Sequence, residues 1–385
     1  RFTVRNPSAA PLRWEIPVAL ADTAHPGGVK VTLLDGASGS AALDDCQGTV
    51  KANAGDTGYY RVAYDAAAFQ RLQADFERLS AADRLNLLND TWAMVEAGRA
   101  SATNYFELLD AVHGEKTAAI WEQILTTLGV VDELEQREPG RAAFREYARL
   151  LLRPQLERLG WSGSTARGTD ALLRGRLITS LGDFGDEQVV AKACEFFRKF
   201  LSRPGSLDAD LRPAVLKIVG RYSNRRTYDQ IHDLAKKARG SEERSLYYQA
   251  MSRALDSELA GATLALALTN ETVPQEATHL VIDVADSSEQ PELAWQFAQQ
   301  HMSELLPRVD PFERSHYAPS ILGAFCESAR ADELEAYMKT NAAEDAQAKA
   351  RETAEDIRLK ATLKERELPA IDRWIAVRSA DKGKS

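Results

Sequence analysis

Two hydrophobic rhythms divide the chain. From Arg1 to about Asp65 apolar residues alternate with polar ones, as in Leu12, Trp14, Ile16, Val18 and Leu20. A period of two turns one face of a strand inward. Turn formers interrupt the run at His25-Pro26-Gly27-Gly28 and at Asp35-Gly36, where a positive or preset φ is needed. A last strand is expected over Tyr59-Tyr60-Arg61-Val62-Ala63-Tyr64-Asp65. This makes about five strands at most, too few for an independent sandwich, and further strands are expected upstream of Arg1.

After Ala66 the apolar residues recur three and four apart, as in Phe69, Leu72, Phe76 and Leu79, the spacing of amphipathic helices. Ser80 followed by Asp83 reads as a helix cap with a carboxylate in the first turn, and Gly98 stops the helix that carries Trp92 and Val95. Further breaks fall at Glu138-Pro139-Gly140, Gly160 to Gly168, Gly182 to Asp186, Ser202-Arg203-Pro204-Gly205, Gly240, Val273-Pro274, Ser287 to Pro291 and Val309-Asp310-Pro311. Helices of roughly 12 to 18 residues joined by about 2 to 8 have the dimensions of stacked antiparallel pairs. No strict period repeats, which favours an irregular array. The expected fold class is therefore mainly α, an irregular superhelix of stacked antiparallel helix pairs forming a HEAT- or armadillo-like bowl, with a small N-terminal β-sandwich portion.

The change of rhythm sets the expected domains: a β-sandwich domain truncated at its start over 1–66, a helical-repeat domain over 67–376, and a frayed tail over 377–385. Near the end, Glu352, Glu355 and Asp356 set against Arg351, Arg358 and Lys360 predict a solvated helix face with i,i+4 pairs. Trp374 and Ile375 offer one last apolar anchor.

Composition narrows the function. With 385 residues the chain exceeds what one core usually organises. Its 57 acidic and 48 basic residues leave a net charge of -9, which opposes attraction to phosphate backbones and anionic lipid, so neither nucleic acid nor a membrane is an expected partner. No window approaches the roughly eighteen apolar residues of a membrane span. The opening Arg1-Phe2-Thr3-Val4-Arg5 is not a signal peptide and lacks an initiating methionine, so the chain reads as a piece of something longer. Cys46, Cys194 and Cys326 are odd in number and far apart, which suggests packing roles in a reducing, cytoplasmic setting and leaves a periplasmic or secreted parent open.

Chemistry-bearing motifs are scarce. Zinc hydrolysis is served by histidines four apart on a helix, and His25, His113, His232, His279, His301 and His316 include no such pair. His232-Asp233 reads as a surface pair and His316-Tyr317 as a partly buried aromatic patch. Gly36-Ala37-Ser38-Gly39-Ser40 and Gly160-Trp161-Ser162-Gly163-Ser164 lack the closing glycine of a nucleophile elbow. Gly383-Lys384-Ser385 ends like a phosphate-binding loop, but Arg378 stands where its first glycine is needed. Asp183 and Asp186, like Asp283 and Asp286, read as helix-capping carboxylates. The cluster Arg221-Tyr222-Ser223-Asn224-Arg225-Arg226 reads as an arginine-rich helix C-terminus, with a peptide carboxylate or a phosphate as the alternative ligand. No catalytic residue and no metal ligand is therefore expected here.

Several strings in order resemble one family. Asn53-Ala54-Gly55-Asp56-Thr57-Gly58-Tyr59-Tyr60-Arg61-Val62-Ala63-Tyr64-Asp65 looks like the closing strand of the small β-sandwich in zinc aminopeptidases of the puromycin-sensitive, aminopeptidase N and endoplasmic-reticulum type. Arg1-Phe2 and Trp14-Glu15-Ile16-Pro17-Val18 resemble earlier strands of that domain. Asp83-Arg84-Leu85-Asn86-Leu87-Leu88-Asn89-Asp90-Thr91-Trp92 is similar to the first helix pair of the C-terminal helical domain. The likeness continues in order through Ile120-Trp121, Asp186-Glu187, Phe196-Phe197 and Leu293-Ala294-Trp295-Gln296-Phe297.

The resemblance implies a four-domain parent whose catalytic domain, bearing H-E-x-x-H and the zinc, has no counterpart here. No zinc ligand or catalytic base carries over to any position. It further implies a helical domain that closes over the catalytic cleft, with the parent's own N-terminal and catalytic domains and peptide substrates as partners. Arg253, in Tyr247-Tyr248-Gln249-Ala250-Met251-Ser252-Arg253, lies on a segment resembling one whose arginine holds a peptide's C-terminal carboxylate; pairing with Glu242, Asp256 or another acid is the competing role. Asp286-Ser287-Ser288-Glu289-Gln290-Pro291 departs from the family, which commonly has glycine or asparagine there. A stand-alone helical-repeat scaffold that binds a protein or peptide is the alternative reading.

Overall fold

A computed structural model describes residues 14–43, 47–161, 168–341 and 347–382. Arg1-Phe2, Leu12, Cys46, the Ser162 to Ser164 loop and Gly383-Lys384-Ser385 lie outside the described residues. The chain is mainly α, with a small antiparallel sheet near its N-terminus. It groups into two compact units, one made of 1–127 with 369–385 and the other of 128–368. The change of rhythm at 66–67 falls inside the first unit, which holds the sheet, the first helices and the last helical turns.

In the first unit, strands β1 (Ile16–Asp22), β2 (His25–Leu34) and β3 (Val50–Ala52) lie in the order β2-β1-β3, with Val18 opposite Thr32 and Leu20 opposite Ala52. The hairpin turns at Thr23-Ala24, earlier than the Pro-Gly-Gly run predicts. Asp22 is the cause: its Oδ1 accepts from the Ala24 N–H at 2.7 Å, an aspartate-driven turn that leaves Gly27 and Gly28 inside β2. The packed face also differs from the expected one. Ala19 and Ala21 are buried with Ala54, while Ile16, Val18 and Leu20 are half-buried and Trp14 is exposed. The small alanine side chains let Tyr60 approach, and its hydroxyl accepts from the Ala19 N–H at 3.2 Å.

Residues Tyr59 to Asp65 form no strand. Side-chain hydroxyls replace a backbone ladder there: the Ala52 N–H donates to the Tyr64 hydroxyl at 3.1 Å, and that hydroxyl donates to the Ala52 carbonyl at 3.2 Å. The helices α1 (Ala66–Ala74), α2 (Ala81–Glu96), α3 (Ala102–Leu109) and α4 (Ala118–Leu134) follow. Ser80 caps α2 as expected, its Oγ accepting from the Asp83 N–H at 3.1 Å. Gly98, at φ 68°, closes that helix, with the Arg99 N–H reaching the Met94 carbonyl at 2.8 Å.

The second unit carries α5 (Arg141–Leu159), α6 (Thr169–Asp183), α7 (Glu187–Ser202), α8 (Arg212–Arg221), α9 (Arg225–Lys237) and α10 (Ser241–Met251). Then come α11 (Ser257–Leu266), α12 (Pro274–Ser287), α13 (Pro291–Leu305), α14 (Arg314–Leu322), α15 (Ser328–Asn341) and α16 (Gln347–Lys382). Consecutive helices pack as pairs, among them α5 on α6, α7 on α8, α9 on α10 and α12 on α13. Helix α8 approaches α10 closely enough that a Cβ on Gly220 would stand 1.9 Å from the Ala250 carbonyl oxygen. A continuous apolar core around Trp295, Leu264, Val281 and Ile321 holds α11 to α16.

Two readings of the C-terminus change. The charged face of α16 pairs along itself only in part, Lys349 with Glu352 at 3.1 Å, and otherwise with other helices: Arg358 donates to Asp332 at 2.7 Å and to Glu335 at 3.0 Å, and Lys360 reaches Glu133 at 2.5 Å. The helix also continues to Lys382, past the point where fraying is expected. Trp374 is the reason, since its ring packs on Phe106 at 5.4 Å and carries the Arg378 guanidinium 3.8 Å from its centroid, with Arg378 also paired to Asp110.

Candidate functional site

The second unit encloses a pocket of about 400 Å³ between the ends of α4, α6, α8 and α12 and the face of α16. Helix ends build it, and charged side chains line it. Its centre is Arg221, the last residue of α8, whose side chain is only 4% exposed. Its Nη1 donates to the Ser287 carbonyl at 3.2 Å, its Nη2 to the Glu289 carboxylate, and its Nε stands 3.7 Å from Asp183.

Glu289 sits in the short turn between α12 and α13. It accepts from Arg141 at 2.7 and 3.0 Å and from Arg145 at 3.1 Å, besides Arg221. Asp132, near the end of α4, accepts from the same two α5 arginines, from Arg145 at 2.6 and 2.8 Å and from Arg141 at 3.0 Å. Arg141 and Arg145 occupy the first turn and a half of α5, the positive end of that helix, so the two carboxylates offset both the guanidinium charges and the helix dipole. Although burial alone would raise it, the Glu289 carboxyl is held down at about 2 by the hydrogen bond from Arg141 and by the surrounding guanidiniums.

Arg253, the residue the sequence singled out, lies just beyond α10 and lines this pocket. Its side chain is 14% exposed and its Nη2 donates to Asp183. The acid paired with it is therefore Asp183 and neither Glu242 nor Asp256. Its Nε has no hydrogen-bond partner among the described residues. Asp286 faces the same space from α12 and forms no ion pair among the described residues. Desolvation first, and then the neighbouring Asp283 and Glu133 carboxylates, push its carboxyl up to about 6, against the opposing pull of Lys360.

Several single-residue readings change at this site. Asp186 does cap α7, accepting from the Val189 N–H at 3.0 Å, but Asp183 serves two arginines, and Asp283 and Asp286 lie within α12 rather than at its start. The arginine cluster after Val219 is split. Arg221 turns into the pocket, while Asn224 caps α9 and Arg225 pairs with Asp229 on its outside. His232 pairs with Glu271 at 2.5 Å, and Glu271 also accepts from the Tyr248 hydroxyl at 2.9 Å. Arg141, Arg145 and Lys360 had no sequence signal beyond charge, because Glu289 and Glu133, which draw them together with other elements, lie far away along the chain.

Among the described residues no three His, Cys, Asp or Glu side chains gather as a metal set. No helix of the described residues is long and apolar enough to cross a membrane.

Comparison with known proteins gives the architecture its family. Residues 49–359 match the ERAP1-like C-terminal domain, and the chain belongs to that family. Aminopeptidase M1-A of Oryza sativa subsp. japonica is 29% identical over 257 residues, which cover 64% of this chain and 29% of that protein. The alanine/arginine aminopeptidase of Saccharomyces cerevisiae is 24% identical, covering 68% of this chain and 31% of that protein. The puromycin-sensitive aminopeptidase of Caenorhabditis elegans is 22% identical, covering 77% and 32% respectively. The chain thus spans about a third of the length of these relatives.

Proposed function

We propose that this chain is the non-catalytic C-terminal part of a zinc aminopeptidase, and that it closes over the parent's catalytic cleft and controls which peptides enter. The observation that carries the reading is the family match over 49–359 in a chain that aligns with only about a third of relatives named as aminopeptidases. Its physical logic is that of a lid: a domain that excludes water and folded protein from a cleft gates substrate entry and product release without touching the bond that breaks. The partners are the parent's own N-terminal and catalytic domains and the peptide. Zinc, held by the catalytic domain, supplies the Lewis acid and the activated water. The parent works in the cytoplasm, a reading supported by the free thiols of Cys194 and Cys326.

Within the lid, Arg253 is the residue assigned to the substrate's C-terminal carboxylate. Its place in the pocket lining and its partly exposed side chain support this, since a carboxylate can reach the guanidinium beside Asp183.

The test compares this chain with the polypeptide encoded by its whole reading frame, using Leu-p-nitroanilide with and without a chelator. The long form should be active and chelator-sensitive and the present chain inactive. Chelator-sensitive hydrolysis by the chain alone would reverse the reading. So would a reading frame without H-E-x-x-H, which would favour a free-standing scaffold. In the long form, Arg253→Gln should lower kcat/KM for a decapeptide about tenfold relative to a dipeptide, the size of one lost charge-assisted hydrogen bond. An unchanged ratio removes Arg253 from the peptide path.

A further inference from the structure

The turn that joins α12 to α13 is built against its own backbone preference. Glu289 adopts φ 62°, the left-handed region where a side chain with a Cβ is strained and where glycine or asparagine is at ease. What holds it there is the side chain. Four N–H groups from three guanidiniums converge on one carboxylate, and two of those guanidiniums stand at the positive end of α5. Arg221, with only 4% of its side chain exposed, carries its charge where desolvation is costly and neighbouring carboxylates offset it. Asp132 already serves Arg141 and Arg145 and Asp183 stands beside Arg221, but Glu289, poorly suited to its turn, is the carboxylate that all three arginines share.

We propose that Arg141, Arg145 and Arg221 form an oxyanion-binding cradle, that the Glu289 carboxylate is its resident occupant, and that small oxyanions entering the adjoining pocket compete with it. The cradle opens onto the 400 Å³ space, since Arg141, Arg221 and Glu289 all line it. Displacing the carboxylate releases the strained turn, so occupancy of the cradle and order of the α12–α13 turn are coupled. The depressed Glu289 carboxyl agrees with this geometry. None of it depends on the parent being an aminopeptidase.

The experiment uses the present chain and inorganic phosphate as the probe. Thermal unfolding is followed while sodium phosphate is titrated against sodium chloride at matched ionic strength. Glu289→Gly removes the occupant and relaxes the turn. It should show a saturable, phosphate-specific rise in Tm of several degrees, with half-saturation at millimolar phosphate, while the unsubstituted chain, whose own carboxylate competes, should show a phosphate-specific response only at several-fold higher phosphate. Glu289→Gln, which keeps the side-chain length, should gain the same specific response from a lower starting Tm. Adding Arg221→Gln to either variant should abolish it. Equal responses to phosphate and chloride in the Glu289 variants overturn the proposal, as does a phosphate response that survives Arg221→Gln. If neither Glu289 variant folds, the carboxylate is an irreplaceable part of the core and the proposal also fails.

Discussion

At the scale of single residues, space and proton affinity decide more than residue type. Gly220 shows the first. A methyl group there would meet the Ala250 carbonyl oxygen at 1.9 Å, and backbone cannot yield as a side-chain tip can. Gly220→Ala should therefore destabilise the chain by about 3 kcal/mol, the upper range for overpacking, read as a lowered urea midpoint with an unchanged slope. Asp286 shows the second. Its carboxyl titrates at about 6 in the folded chain and near ~3.9 unfolded, so the folded state binds the proton more tightly. Stability contributed by that proton is full below pH ~4 and is lost as pH rises through 6. Asp286→Asn should raise Tm at pH 7.5 and leave it nearly unchanged at pH 4, with the gain limited by pocket water. A gain at both values would trace the effect to something other than the charge. Asp283, Lys360 and Glu133 face the same carboxyl and share in the titration. Neither feature was legible in the sequence, where Gly220 and Asp286 look like any interior glycine and any capping acid.

At the scale of elements, periodicity and caps were legible and partners were not. The Ser80 cap, the Gly98 stop and the prolines opening α12 and α13 are local chemistry, and the structure places each where the sequence does. The strand expected over Tyr59–Asp65 fails because its tyrosines use their hydroxyls on β1 and β3, a choice that alternation cannot reveal. The polar strings around Asn53 and Asp83 form one joint between the sheet and α2. There Lys51, with 2% of its side chain exposed, donates to Asn86 at 2.6 Å and lies 3.7 Å from Asp83, while the Gly55 N–H donates to Asp83 at 2.7 Å. Desolvation lowers the Lys51 pKa, and the aspartates at 83, 90 and 56 oppose that shift. Lys51→Met should cost about 3 kcal/mol because it leaves Asp83 without its cation, and hydrogen exchange should accelerate in β1 and β3 ahead of the helices α5 to α10. Uniform acceleration along the chain would mean that the joint does not hold the sheet in particular.

At the scale of the whole molecule, the sequence's order of strings pointed to the family that residues 49–359 match, while the grouping into units did not follow the change of rhythm. Periodicity changes at 66–67, whereas the limits of the two units, 127/128 and 368/369, fall within the ranges of α4 and α16. A helix that runs on gives no compositional mark at such a boundary. The same scale carries a prediction about metal. Structural zinc contributes folding free energy directly, so chelators unfold proteins that rely on it. Here the stabilising material is apolar core plus the ion-paired helix ends, and the described residues gather no set of metal ligands. Millimolar EDTA should therefore leave the chain's Tm unchanged to within about 1 °C, and dialysis against excess zinc followed by a desalting column should retain well under one ion per chain. A Tm lowered by EDTA, or one zinc retained, would place a metal site in this chain and so undo the proposed division of labour, in which the lid shapes access and another domain breaks the bond.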